Sequence, residues 1–275
     1  MLRLHPFLTS FVAASFLVVG CGGSDGSTGP NPPGGAGGNT VPEAGTFVQP
    51  SVTVDGVSRP FQVFVPKAYT TDKKWPVILY IDGSGGRGTD NTSQVAQALG
   101  AIVRARASTY PAIVVFPQVP AGETTPRPLI TAICLADLDW AVAKYNGDPT
   151  RLYVTGISFG GGVAYQLAYE NPTKFAALAP VASVYSDASV TSNPNATDGS
   201  SYPLLAQKLK TTPTGIWHGA LDQGPPVSVP QGIYNALQAA GDPARITVIP
   251  GMGHAIWDDV YVDDSFYTWL YAQHR

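Results

Sequence analysis

Two kinds of apolar spacing alternate along the chain from Thr46 onward. The segments 76–83 (PVILYIDG), 112–118 (AIVVFPQ) and 151–156 (RLYVTG) are short, nearly continuous apolar runs. So are 175–183 (FAALAPVAS), 214–219 (TGIWHG) and 245–251 (RITVIPG). Runs of this length, bounded by Gly, Pro or Asp, predict strands, those over 76–83 and 112–118 buried on both faces. Between them, residues 92–106, 129–145, 160–170, 230–241 and 264–275 repeat apolar positions at helical spacing. Asn146-Gly147-Asp148-Pro149, Asn171-Pro172 and Gly241 supply the stops. Ahead of these, residues 46–69 predict two strands about an Asp55-Gly56 turn, a strong hairpin signal. Strands alternating with helices of this length predict βαβ crossovers, hence an α/β fold with a mostly parallel central sheet flanked by helices.

The first 45 residues follow neither spacing. A short basic start, Met1 to His5, precedes an apolar stretch, Pro6 to Val19, too short for a comfortable membrane span. It ends Val18-Val19-Gly20-Cys21, which resembles the lipobox of bacterial lipoproteins. That resemblance implies cleavage before Cys21 and acylation of this cysteine. The alternative is an ordinary secretory signal with an incidental cysteine. Residues 22–40 are nearly all Gly, Ser, Pro, Asn and Thr, a flexible linker with a reach of roughly 25 Å. The expected organisation is a signal peptide over 1–20, the lipidated Cys21 and linker over 21–45, and one catalytic domain over 46–275. The protein is then exported and held to a membrane of the bacterial cell envelope through Cys21, or secreted if unlipidated.

With 275 residues, 44% of them hydrophobic and 13% charged, the chain can bury a large core. A net charge of −3 gives no reason to expect nucleic acid as a partner. The only cysteine besides Cys21 is Cys134, set among apolar helical residues as a buried small hydrophobe, so no disulfide is expected.

Candidate chemistry centres on residues 153–166, YVTGISFGGGVAYQ, where a strand turns into a helix around Gly156-Ile157-Ser158-Phe159-Gly160. A serine hydroxyl is a poor nucleophile unless a base takes its proton and donors stabilise the oxyanion. At the carboxyl end of a parallel strand, flanked by glycines and followed by a helix N-terminus, Ser158 is placed for both. A structural glycine-serine turn is the bland alternative. Four histidines compete for the role of base. His5 lies in the signal, His274 is next to the last residue, and His218 ends a strand whose end it can simply fill. His254, in a glycine-bearing loop after the last strand, is the best candidate. Asp222, 32 residues before it, is the favoured acid, completing the chain order Ser, Asp, His. Asp258, Asp259, Asp263 and Asp264 are rivals, better explained as acids at a helix start. The glycine-rich segment 81–91 (IDGSGGRGTDN) offers Ser84, then Gly85, as a second oxyanion donor beside the Phe159 N–H. No phosphate-loop pattern is present in it.

Taken together, residues 76–91, 145–183, 212–230 and 249–261 resemble the α/β-hydrolases. The likeness is to the exported esterase branch that includes polyhydroxybutyrate depolymerase-like, feruloyl and acetylxylan esterase-like proteins, and predicted peptidases related to dienelactone hydrolase. It implies a carboxylesterase working through an acyl-enzyme, with Ser158 as nucleophile, His254 as base and Asp222 as orienting acid. Neither metal nor organic cofactor is implied. Two positions depart from the pattern: Asp82 stands where a histidine is usual, and Phe159 where methionine is common.

The only room for a cap is about residues 184–210, mostly polar with one short helix, which predicts an open cleft for short acyl groups or polymer-linked esters on a polysaccharide or polyester. Trp217, Trp257 and Tyr185 are candidates to line it, against the alternative that they are core. A peptidase or acyltransferase shares the same triad. A catalytically silent surface lipoprotein that binds carbohydrate or a partner is the competing class. Oligomeric state is left open.

Overall fold

The computed structural model describes residues 43–122, 128–185 and 199–275. Cys21, the signal, the linker as far as residue 42 and part of the 184–210 segment lie outside the described residues. The main sheet has eight strands. In chain order these are β1 (Thr46–Val48), β4 (Gln62–Val65), β5 (Trp75–Ile81), β6 (Ile113–Phe116), β7 (Gly147–Ile157), β8 (Ala177–Val181), β9 (Gly215–Gly219) and β10 (Arg245–Ile249). They lie in the order β1-β4-β6-β5-β7-β8-β9-β10. The six from β6 to β10 run parallel, and β4 and β1 pair antiparallel at one edge.

The N-terminal segment forms four strands where two were expected. Pro50 cannot donate to a ladder, and the chain breaks there and at Phe61, whose N–H donates to the Pro50 carbonyl at 3.0 Å. This splits off β2 (Ser51–Val54) and β3 (Val57–Pro60) as a separate hairpin. Its turn is the one expected, with Asp55 and Gly56 both at positive φ, 52° and 75°.

Side chains alternate across the sheet with a period of two, so each central strand feeds two cores. Val77, Leu79 and Ile81 of β5 enter one with Leu152 and Val154 of β7, under α2 (Pro128–Lys144), α3 (Phe159–Glu170), α4 (Tyr202–Leu209) and α5 (Ser228–Ala239). Ile78, Tyr80, Tyr153 and Ile157 enter the other, under α1 (Ala98–Ala105), α6 (Trp257–Val262) and α7 (Asp264–Tyr271). Cys134 is buried and free, as its neighbours suggested.

Parallel strands set all their carboxyl ends at one edge of the sheet, and the loops after them are where side chains can converge. The loops after β5, β7, β9 and β10 carry the expected chemistry.

Candidate active site

Between β7 and α3 there is one residue, Ser158, and it carries the strain of the turn. Its φ of 51° and ψ of −118° are rarely adopted by a residue with a side chain, at a cost of roughly 1–3 kcal/mol. The conformation is tied down from β8: Ser158 N–H donates to the Val181 carbonyl at 3.0 Å, and its own carbonyl accepts from Val184 N–H at 2.9 Å. Because Ser158 itself takes the positive φ, the flanking glycines serve a different need. A β-carbon on Gly156 would lie 2.5 Å from the Gly160 carbonyl oxygen. One on Gly160 would lie 2.1 Å from the carbonyl oxygen of Ile81. The glycines let α3 start directly against the ends of β5 and β7.

The structure brings Ser158, His254 and Asp222 into one hydrogen-bonded line. His254 Nε2 stands 2.9 Å from Ser158 Oγ, and His254 Nδ1 stands 2.7 Å from Asp222 Oδ2. The loops after β9 and β10 are clamped together, Ala220 N–H donating to the Ile249 carbonyl and Leu221 N–H to Met252. The Asp222 side chain is 1% exposed, that of His254 35%. The second carboxylate oxygen of Asp222 accepts from Gly224 N–H at 2.8 Å. The rival acids are occupied elsewhere or exposed. Asp263 caps α7 through Ser265 N–H, Asp264 pairs with Arg106, and Asp258 and Asp259 lie exposed in the first turn of α6.

The loop after β5 runs beside the serine. A β-carbon at Gly83 would come within 3.5 Å of Ser158 Cβ, and a 3-10 turn follows over Ser84–Gly86. Among the described residues, the N–H groups of Ser84, Gly85 and Phe159 have no acceptor. Asp82 props this loop from below. Its buried carboxylate accepts from the Tyr80 hydroxyl at 2.8 Å, and the loop closes on it so tightly that Gly86 has no room for a β-carbon. Burial raises the Asp82 pKa above the usual carboxylate range, against the lowering effect of its hydrogen bonds.

Of the three expected substrate-lining rings, one stands at the site. Trp257 meets the His254 ring edge-on, with centroids 5.8 Å apart. Trp217 is corrected to core: it is 4% exposed and packs on Phe266 and Trp269 of α7, leaving no face for a substrate. Tyr185 is buried too, between Tyr165 and Tyr202, with its hydroxyl 2.7 Å from Ser201 Oγ. Val184, whose N–H bonds the Ser158 carbonyl, and Leu221, next in the chain to Asp222, are exposed, and the Arg87 guanidinium lies 5.1 Å from the Phe159 ring centroid. A cavity of about 470 Å³ opens at the other end of the strands, around Trp75, Pro111 and Arg151, away from these groups. Among the described residues no group of three or more His, Cys, Asp or Glu is disposed to hold a metal ion.

One neighbour of the line was missed by the sequence reading. His218, set aside as strand filling, places Nε2 3.3 Å from Asp222 Oδ2. The signal for it is alternation in β9, which turns His218 to the opposite face from Trp217.

Known proteins resemble this chain in sequence and in fold. Residues 134–273, about half of the chain and including Ser158, Asp222 and His254, match the prolyl oligopeptidase family. A protein assigned as a carboxymethylenebutenolidase in Methylorubrum extorquens is 34% identical over 129 residues, 46% of this chain and 42% of its own length. The chain thus spans less than half of that relative. A thermostable esterase superimposes with a TM-score of 0.70 at 26% identity, over 83% of this chain and 63% of the esterase. A ferulic acid esterase shares the fold with a TM-score of 0.64 at 17% identity, over 83% of this chain and 98% of its own. The chain therefore belongs to the prolyl oligopeptidase family and has the α/β-hydrolase fold.

Proposed function

We propose that this protein is a serine hydrolase acting as a carboxylesterase. The observation that carries the reading is the continuous line from Ser158 Oγ through His254 to buried Asp222, at 2.9 and 2.7 Å. In the first step His254 Nε2 takes the hydroxyl proton as Oγ attacks the ester carbonyl carbon. The N–H of Phe159 and that of Ser84, with Gly85 beside it, receive the oxyanion. His254 then gives the proton to the leaving alcohol, and the acyl group remains on Oγ. In the second step His254 draws a proton from water, whose oxygen attacks the acyl carbon, and the acid departs as Oγ recovers its proton. Asp222 stays ionised and holds the Nδ1–H tautomer throughout.

The substrate proposed is a short-acyl or polymer-linked ester, since Val184, Leu221 and Trp257 offer a shallow apolar rim. Membership of the prolyl oligopeptidase family favours, as a second reading, a peptidase using the same line. The proposed setting is the cell envelope, with Cys21 lipidated and residues 22–40 as a tether.

The test is hydrolysis of p-nitrophenyl esters of rising acyl length beside a peptide p-nitroanilide, using the full chain and Ser158→Ala. A serine-dependent rate highest on acetate to butyrate is the expected result. Cleavage of the anilide with no ester turnover replaces the esterase by the peptidase. Ester turnover retained by Ser158→Ala overturns the reading.

A further inference from the structure

A second histidine lies against Asp222, and it has no assigned role. His218 ends β9 with no exposure at all. Its Nε2 lies 2.9 Å from the Pro225 carbonyl oxygen and 3.3 Å from Asp222 Oδ2. A carbonyl can only accept, so Nε2 must carry the proton, and the ring is the neutral Nε2–H tautomer. Nδ1 is then a bare acceptor, buried and without a partner. An unpartnered buried polar atom is costly, and an apolar ring would fill the same space without that cost.

We propose that His218 is a positioning residue for the triad. Resting on the triad reading above, its Nε2–H, bonded to the Pro225 carbonyl, braces the 222–225 loop against the end of β9 and with it the Asp222 carboxylate. The carboxylate is 1% exposed. Gly224 N–H, from the same loop, holds one oxygen and His254 the other, so the place of the loop sets the direction of the carboxylate. Without the bond from His218 to Pro225, the loop and the carboxylate with it can shift as His254 moves during the proton transfers. The brace removes that freedom and keeps Oδ2 pointed at His254 Nδ1.

The two histidines are kept from exchanging roles by burial. His254 is 35% exposed at its side chain and reaches Ser158, whereas the enclosed His218 is held neutral, its pKa lowered first by desolvation and also by the nearby His254. The proton removed from Ser158 therefore has one place to go.

The experiment compares His218→Phe, His218→Asn and His218→Gln in the full chain, with Ser158→Ala as control. The readouts are kcat and KM on a p-nitrophenyl ester, and the low-field NMR resonance of the His254 Nδ1 proton. The glutamine amide can restore a donor near the Nε2 position, whereas asparagine is too short and phenylalanine has none. Phe and Asn are expected to lower kcat by about three- to tenfold with KM nearly unchanged, as for loss of one neutral hydrogen bond. They should also shift or broaden the low-field resonance, and Gln should restore both. If the Phe variant does not fold, the Asn and Gln pair carries the comparison. Equal kcat and an unmoved resonance in all folded variants, with only a lower Tm, overturn the brace while leaving the triad intact. Full activity in Ser158→Ala overturns the triad itself.

Discussion

Gly160 and Ile81 approach so closely that a methyl group on Gly160 would stand 2.1 Å from the Ile81 carbonyl oxygen. The contact joins the first turn of α3 to the end of β5, the two elements that carry the proposed oxyanion donors. Both neighbours of the added methyl are backbone, so nothing can move aside without shifting the Asp82–Ser84 segment. Gly160→Ala should cost about 1–3 kcal/mol in stability. The protein that still folds should lose kcat, because the Ser84 N–H moves relative to Ser158. Thermal unfolding and ester kinetics on the same sample check this. A stable variant with unchanged kcat would mean that the approach is not rigid.

The acid of the proposed triad can be probed without disturbing its shape. Asp222→Asn preserves volume but presents an amide donor to one of its neighbours, which favours the wrong tautomer of His254. A fall in kcat of about 10⁴ is expected, with Tm changed far less than activity. Steady-state kinetics beside calorimetry separate the two effects.

Two tryptophans expected to do the same thing should behave differently. Trp217→Ala empties a core position beneath α7 and should cost about 3–5 kcal/mol. The half-buried Trp257, edge-on to His254, should cost about 1 kcal/mol on truncation. Its loss should instead change KM and the acyl-length preference. Chemical denaturation and a panel of esters distinguish these outcomes.

Asp137 is a buried carboxyl on α2 with both oxygens unpartnered, and desolvation pushes its pKa up to about 8 despite the charge of Arg59. The folded pKa lies above the unfolded one, so folding favours the protonated form. Its cost is absent at low pH and grows as the pH rises from about 4 to about 8. Asp137→Asn has no such dependence. The variant should match the wild type near pH 4 and exceed it at pH 8 by up to about 5 kcal/mol, since each pH unit between the two pKa values adds about 1.4 kcal/mol. Tm measured across that range gives the result, and a constant difference would contradict it.

How much of this could be read in advance depended on the range of each signal. The strand, serine and helix of residues 151–170 are contiguous, so pattern and motif arrive together. The pairing of Asp222 with His254 needed only chain order and the expectation that strand ends share an edge. The hairpin was divided by Pro50, whose missing donor acts on a ladder that the sequence does not display. Helix α6 was overlooked because its six residues fall between a glycine loop and a stronger helical repeat. The placement of Trp217 was legible in principle. In the run GIWHG only alternate residues share a face, so Trp217 and His218 could not both look toward Asp222. Which face was which depended on α7, more than forty residues away.

The tie between Ser158 and β8 carries a consequence for how the molecule comes to life. The backbone of Ser158 is held by Val181 and Val184, its hydroxyl by a residue 96 positions further along. None of these contacts is local, so no early hairpin or isolated helix can assemble the proposed nucleophile. Helices can form and the first strands pair while the serine is still unstrained and inert. Turnover should then be the last property to return after denaturant is removed, reporting the closing of the whole sheet.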